Sequence, residues 1–203
     1  MPKSKGFFML IDGGANVDCR PEMLLQFGVM GAAYMKSVMG VEHPRVALAN
    51  VGEEEHKGDQ LRQEALALLK ACPDIRFVGN VEAREIPFDG ADVVVADGFT
   101  GNMILKLYEG VALALMEKIK GVFTSSLKGK LAAAMVYGDL KKMKKELDYN
   151  EYGGAPIMGC SKPVFKIHGS AKASTVKSAL ALIQSYAQSG VTQEIAAAVS
   201  KKS

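Results

Sequence analysis

Cysteine is scarce in this 203-residue chain, and Cys19, Cys72 and Cys160 lie far apart with no C-x-x-C pair. That spacing excludes a disulfide framework and offers no zinc-ligand pattern, so no metal is expected. Long apolar runs are missing as well. No window of about 18 uncharged apolar residues occurs, which excludes a membrane-spanning helix. The opening Met1-Pro2-Lys3-Ser4-Lys5-Gly6 carries no hydrophobic signal core, so a cytoplasmic location is expected. A formal net charge of +3 is too small for a general nucleic-acid binder. The sequence also lacks G-x-G-x-x-G, G-x-x-x-x-G-K-[ST] and G-x-S-x-G, so dinucleotide, nucleoside triphosphate and serine-hydrolase chemistry are not signalled and no cofactor is expected.

What is present reads as a globular α/β chain, with 48% hydrophobic and 23% charged residues. Short β-rich runs alternate with helix-length segments. Residues 7–12, 45–50, 75–80, 92–97 and 163–168 read as strands. Val93-Val94-Val95-Ala96 is apolar without alternation, as in a strand covered on both faces, and the β-then-α order implies parallel pairing through crossover helices. Pro21 suits a first helical turn, and Asp59 suits an N-cap for a helix carrying Leu61, Ala65, Leu68 and Leu69. The run 103–123 is apolar almost all round between Val111 and Met116, which predicts a buried helix. A further helix is expected over 127–147, with two more after Ser170 and Val191. No linker marks a boundary, so residues 1–203 are read as a single unit.

Each strand hands over to a small polar cluster: residues 12–16, 50–54, 79–80, 97–102 and 168–170. In open α/β sheets ligands bind beyond the carboxyl ends of the strands, where glycines let backbone approach and helix N-termini attract anions. Asp-Gly and Asn-Gly are also ordinary turn formers, but five such clusters favour a shared crevice. Lys57 lies just before Asp59, where a helix dipole disfavours a cation. A bound phosphate compensates for it; pairing with Glu53, Glu54 or Glu55 is the alternative. Asn102 offers a side-chain amide to a carbonyl or phosphate oxygen, or caps the helix. His168 ends the last strand, with acid/base and capping roles both open.

These clusters resemble, nearly end to end, the bacterial acyl-ACP:phosphate acyltransferase (PlsX) family. The similarity runs through Asp12-Gly13-Gly14-Ala15-Asn16, Asn50-Val51-Gly52-Glu53-Glu54-Glu55-His56-Lys57-Gly58 and Gly79-Asn80-Val81-Glu82-Ala83-Arg84. It continues through Asp97-Gly98-Phe99-Thr100-Gly101-Asn102, Tyr152-Gly153-Gly154-Ala155-Pro156 and His168-Gly169-Ser170. The resemblance implies an α/β fold like isocitrate and isopropylmalate dehydrogenases and phosphotransacetylases. It further implies a homodimer, and transfer of a fatty acyl group from acyl carrier protein to inorganic phosphate. By motif position it implies Lys57 and Asn102 as catalytic, with Asp97 and His168 in support. Asp12, Asn16, Gly52, Glu54, Asn80, Asp97, Gly98, Gly101, Gly153 and Gly154 are the positions it assigns to substrate or phosphate. The family's N-terminal Asp-Ala-Met-Gly-Gly-Asp and later Gly-Asn-Thr-Gly motifs do not occur here, so these residues correspond to the C-terminal part of its fold. A short-chain phosphotransacetylase acting on acyl-CoA, or a non-catalytic remnant that dimerises or binds membrane, are the competing expectations.

Charge is unevenly placed. From Met116 to Tyr149 there are eight lysines against four acids, a balance of +4 that leaves −1 for the rest of the chain. An apolar stripe amid these lysines, including Leu127, Leu131, Met135 and Val136, suits a helix lying on an anionic bilayer. A dimerisation helix pair fits equally. The family counterpart of residues 116–149 is a protruding helical hairpin implicated in peripheral membrane attachment, and acyl carrier protein, being acidic, is another partner for that basic face.

Overall fold

The computed structural model describes residues 1–147, 154–167, 169 and 171–200, excepting the side chains of Lys144, Glu146 and Leu147. Four strands, β1 (Met9–Ile11), β2 (Arg45–Asn50), β3 (Arg76–Glu82) and β4 (Val93–Val95), form one sheet in the order β1-β4-β2-β3. Every pairing in it is parallel, with Leu10 beside Val94, Ala47 beside Val94 and Ala49 beside Val81. All four carboxyl ends therefore open on one rim. The apolar reading of β4 holds, since Val93, Val94 and Val95 are all fully buried.

Helix α1 (Pro21–Ser37) begins on its proline and carries Glu22 in its first turn and Lys36 in its last, each complementing the helix dipole. It lies close on the sheet because Gly31 has no side chain: a Cβ there would stand 2.5 Å from Val93 Cγ1. With α2 (Gln60–Ala71) and α7 (Val191–Ser200) it covers one sheet face, burying Leu24, Met35, Leu48, Leu69 and Val191. The opposite face packs Phe8, Ala47, Ala49, Val81 and Val94 against Ile86 and Ala91 of the following segment and against Ile104.

Ile104 belongs to α3 (Gly98–Thr124), which is followed by α4 (Leu127–Met135) and α5 (Tyr137–Leu147). Three expectations change here and beyond. The run 103–123 is helical but not buried: Met103, Leu107, Val111, Leu113 and Leu115 are exposed. Only its beginning meets the sheet, through buried Gly98 and Gly101 and through Tyr108, which stacks edge-on against Phe8 and donates its hydroxyl to Pro2 O at 2.6 Å. The single helix expected over 127–147 breaks at Val136, whose backbone leaves the helical region, two residues before Gly138, a residue that weakens a helix by about 1 kcal/mol relative to Ala. Finally, the fifth strand does not join the sheet. Among the described residues of 163–168 only Phe165–Lys166 forms a strand (β6), and it pairs antiparallel with β5 (Ala155–Pro156) in a separate ribbon. A two-residue strand has too few ladder bonds to extend a parallel sheet, and the local Gly-Pro loop supplies its partner instead. Helix α6 (Ala173–Gln188) follows, packing Tyr186 edge-on to Phe165.

Candidate functional site

The rim is built from two loop pairs. The first joins the loop after β1 to the start of α3. The Asp12 carboxylate accepts from the backbone amides of Gly14, Ala15 and Asn16 at 2.7–2.8 Å and from Asn16 Nδ2 at 2.8 Å. Burial alone would raise its pKa, but these four donors outweigh burial and hold it below the ordinary carboxylate value. The loop's amides are thus already engaged by an internal anion. Asn16 O in turn accepts from Gly98 N at 2.8 Å. A Cβ on Gly101 would fall 1.9 Å from Asp12 O, and one on Gly98 2.5 Å from Asn16 O, so both glycines are required for α3 to start against this loop. Asn102 follows directly, its side chain beside Gly14. The cap is Asp97, which accepts from Thr100 N at 2.9 Å and Thr100 Oγ1 at 2.7 Å. Asn102 therefore lies inside the helix and its amide is not a cap.

The second pair joins the loop after β2 to β3. Asn50 accepts from Val51 N and donates to Lys57 O, at 2.8 and 3.2 Å. Asn80 Nδ2 donates to Glu54 O at 3.0 Å, while Asn80 Oδ1 is buried without a partner. Gln63 Nε2 donates to His56 O and Gly58 O. Gly58 takes φ +89°, a left-handed conformation natural to glycine, and a Cβ there would meet Asn50 Oδ1 at 2.5 Å. Gly52 packs against the Lys57 stem and the Glu54 carboxylate. Lys57 itself is exposed. Its ammonium forms no ion pair among the described residues, and Glu55, one of the acids expected to neutralise it, is engaged by Lys70 at 2.6 Å.

Sequence reasoning missed the residue that links the two pairs. Arg62, on the first turn of α2, donates Nη1 to Asp59 Oδ2 at 2.5 Å and Nη2 to both Thr100 Oγ1, at 2.7 Å, and Asp97. Its three-residue spacing from Asp59 was legible as a helical pair; its reach to α3 was not. Two clefts share Arg62, Asp59 and Thr100 as a wall. One of about 490 Å³ is lined also by Asp18, Cys19 and Phe99, and one of about 720 Å³ by Asn50, Val51, Arg84 and Ile104.

Of the positions expected at the site, Asp12, Asn16, Asp97, Gly98, Gly101 and Asn102 come together in the first pair, and Gly52, Glu54, Lys57 and Asn80 in the second. Gly154 stands apart at the start of the β5–β6 ribbon, facing Lys166 and Ile167. His168 and Gly153 lie outside the described residues. No group of metal-ligating side chains occurs among the described residues.

The parallel four-stranded sheet with its helices and its loops gathered along one carboxyl rim makes this a protein of the α/β class, in which open sheets bind ligands beyond the carboxyl ends of their strands. Within that class the chain belongs to the fatty acid synthesis protein family, whose model matches residues 1–194. It is 46% identical over 195 residues to the phosphate acyltransferase of Bacillus subtilis, covering 96% of this chain and 57% of that protein. Against the phosphate acyltransferase of Oceanobacillus iheyensis it is 49% identical over 195 residues, covering 96% of this chain and 58% of that protein. Against that of Clostridium perfringens (strain SM101) it is 44% identical over all 203 residues, 60% of that protein. The chain thus spans about 60% of the length of these curated relatives.

Proposed function

We propose that this chain is the catalytic-loop portion of an enzyme that transfers a fatty acyl group from acyl carrier protein to inorganic phosphate, giving acyl phosphate for phospholipid synthesis. The observation that carries the reading is its identity of 44–49%, over 96–100% of its length, to proteins called phosphate acyltransferases. The rim geometry supports it. Phosphate is already an anionic nucleophile, so the protein has to hold it against the thioester, stabilise the tetrahedral oxyanion and let the carrier thiolate leave. A C–O bond forms, the C–S bond breaks, and no protein nucleophile intervenes. Lys57, with its ammonium unpaired, supplies positive charge to phosphate and oxyanion. Asn102 donates a hydrogen bond from the α3 entrance, and Gly98 and Gly101 bring that entrance against the β1 loop. Since the 14–16 amides are held by Asp12, the proposed role of Asp12 and Asn16 is to shape this wall. His168 and Gly153–Gly154 complete the proposed site.

On this reading the fold is of the isocitrate dehydrogenase and phosphotransacetylase kind and the working unit is a homodimer. The α3–α5 region is a helical hairpin, its lysines facing an anionic membrane or the acidic carrier protein. The test is acyl phosphate formation by the chain extended to the length of its relatives, with acyl-ACP and acetyl-CoA compared as donors. Lys57→Ala and Asn102→Ala are expected to lower turnover about 10²-fold or more. Undiminished turnover removes both from the mechanism, and preference for acetyl-CoA replaces this reading with a short-chain phosphotransacetylase.

A further inference from the structure

We propose that Arg62 is a positioning residue of this site: its guanidinium fastens the first turn of α2 to the first turn of α3 and so sets where Lys57 stands relative to Asn102. The inference rests on the functional reading above for what those two residues do, but its geometry is independent of it. Lys57 precedes Asp59 by two residues, and Asn102 follows Thr100 by two. Asp59 and Thr100 are the two positions that Arg62 joins, at 2.5 and 2.7 Å, and it reaches Asp97 with the same nitrogen that serves Thr100. The bridge is shielded: the Arg62 side chain is 14% exposed and that of Asp97 8%.

A guanidinium suits this task. Its planar fork addresses two helices at once from fixed directions, whereas a lysine ammonium is a point charge without that preset geometry. The loop carrying Lys57 is held to neighbouring groups by hydrogen bonds from Asn50, Gln63 and Asn80 and by the Glu55–Lys70 ion pair, and none of these reaches α3. Arg62 is the cross-brace. Because it forms a wall of both clefts, loss of the fork opens one into the other. A displacement of about 1 Å at the reacting groups lowers rate by up to about 10²-fold without removing any group that touches substrate.

Amide hydrogen exchange and turnover, measured together on Arg62→Lys and Arg62→Ala, test this. Expected for both variants are faster exchange over residues 51–58 and 98–102, with α1 unchanged. The turnover number should fall ten- to a hundredfold while the KM for phosphate changes by less than about twofold, the pattern of lost orientation. Free guanidinium at non-denaturing concentration should restore part of the Arg62→Ala turnover and none of the Arg62→Lys turnover. Unchanged exchange together with unchanged turnover in Arg62→Lys overturns the proposal, as does a rise in KM alone. Should Arg62→Ala not fold, Thr100→Val removes one acceptor and is expected to give an intermediate loss of protection over 98–102; full protection there counts against the brace. Full turnover in Lys57→Ala and Asn102→Ala would instead sink the functional reading, leaving the exchange result to decide the brace by itself.

Discussion

Aspartates do the local organising in this chain, and three of them do it differently. Asp12 and Asp97 sit on the rim that carries the proposed site. Asp92 sits at the other end of the sheet, where it accepts from Lys3 Nζ at 2.9 Å and from Arg45 N, Nε and Nη2 at 2.9–3.0 Å. Burial pushes the Asp92 pKa up, yet the Arg45 and Lys3 contacts win and hold it well below the usual carboxylate range. A carboxylate depressed in the folded state adds stability that is complete above its unfolded pKa, about 3.9, and is lost as pH falls through the folded value. Melting temperature should therefore drop as pH is lowered below about 4, and Asp92→Asn, less stable at neutral pH, should show a flatter acid limb. Because the cluster lies away from the rim, acyl phosphate formation by Asp92→Asn should stay near the parent value. A steep acid limb in that variant would show that other carboxylates dominate. Residue by residue, the sequence disclosed whatever depends on near neighbours: the Asp59 cap accepts from Arg62 N as spacing predicts. Arg62 stayed hidden because its decisive acceptors are 35 and 38 positions away, and no local pattern encodes which distant helix will face it.

Elements were legible by period and illegible by environment. The helices beginning at Pro21 and after Asp59 were marked by proline and by a cap with apolar spacing, and a helix expected after Val191 is α7. The apolar girth of α3 predicted burial, but periodicity reports what a surface wants covered, and within the described residues only its first turns find a cover. What α3 does unambiguously is present its N-terminus, and this depends on Gly101. Gly101→Ala is expected to force Asp12 O and the α3 backbone apart, since the added methyl has only 1.9 Å of room against backbone. Overpacking of this kind lowers stability by about 1–3 kcal/mol, readable by urea denaturation. The shift carries Asn102 with it, so turnover should fall by more than the folded fraction does. Gly121→Ala, in the same helix with open space around the site, should be neutral or slightly stabilising, which separates close approach from helix propensity. Equal effects of the two substitutions would refute that account.

At the scale of the whole molecule, charge and apolar surface are segregated. Sheet and rim hold the conserving of charge pairs, with Lys3, Arg45, Arg62 and Arg84 each matched to carboxylates, while α3–α5 concentrates lysine and exposed aliphatic side chains. Leu127, Leu131 and Met135 are 77%, 63% and 87% exposed, and no helix among the described residues is long and apolar enough to cross a membrane. On the proposed membrane-facing reading, such a surface would insert shallowly, its apolar burial stabilised by lysines that each contribute about 1 kcal/mol near anionic headgroups. In vesicle flotation the protein is expected to rise with phosphatidylglycerol-containing liposomes and to stay down with phosphatidylcholine alone. Leu131→Asp with Met135→Asp should abolish flotation, as two insertion points then carry a desolvation penalty. Neither position packs in the core, so melting temperature and acyl phosphate formation from soluble acyl-ACP should remain at parent values. Salt supplies the second control: if lysines draw the protein down, raising ionic strength from about 0.1 to 1 M shortens the screening length from about 10 to 3 Å and should weaken flotation several-fold. Flotation indifferent to lipid charge and to both aspartates would assign this surface to protein contacts, and would be accompanied by a change in oligomeric state when Leu131 and Met135 are replaced.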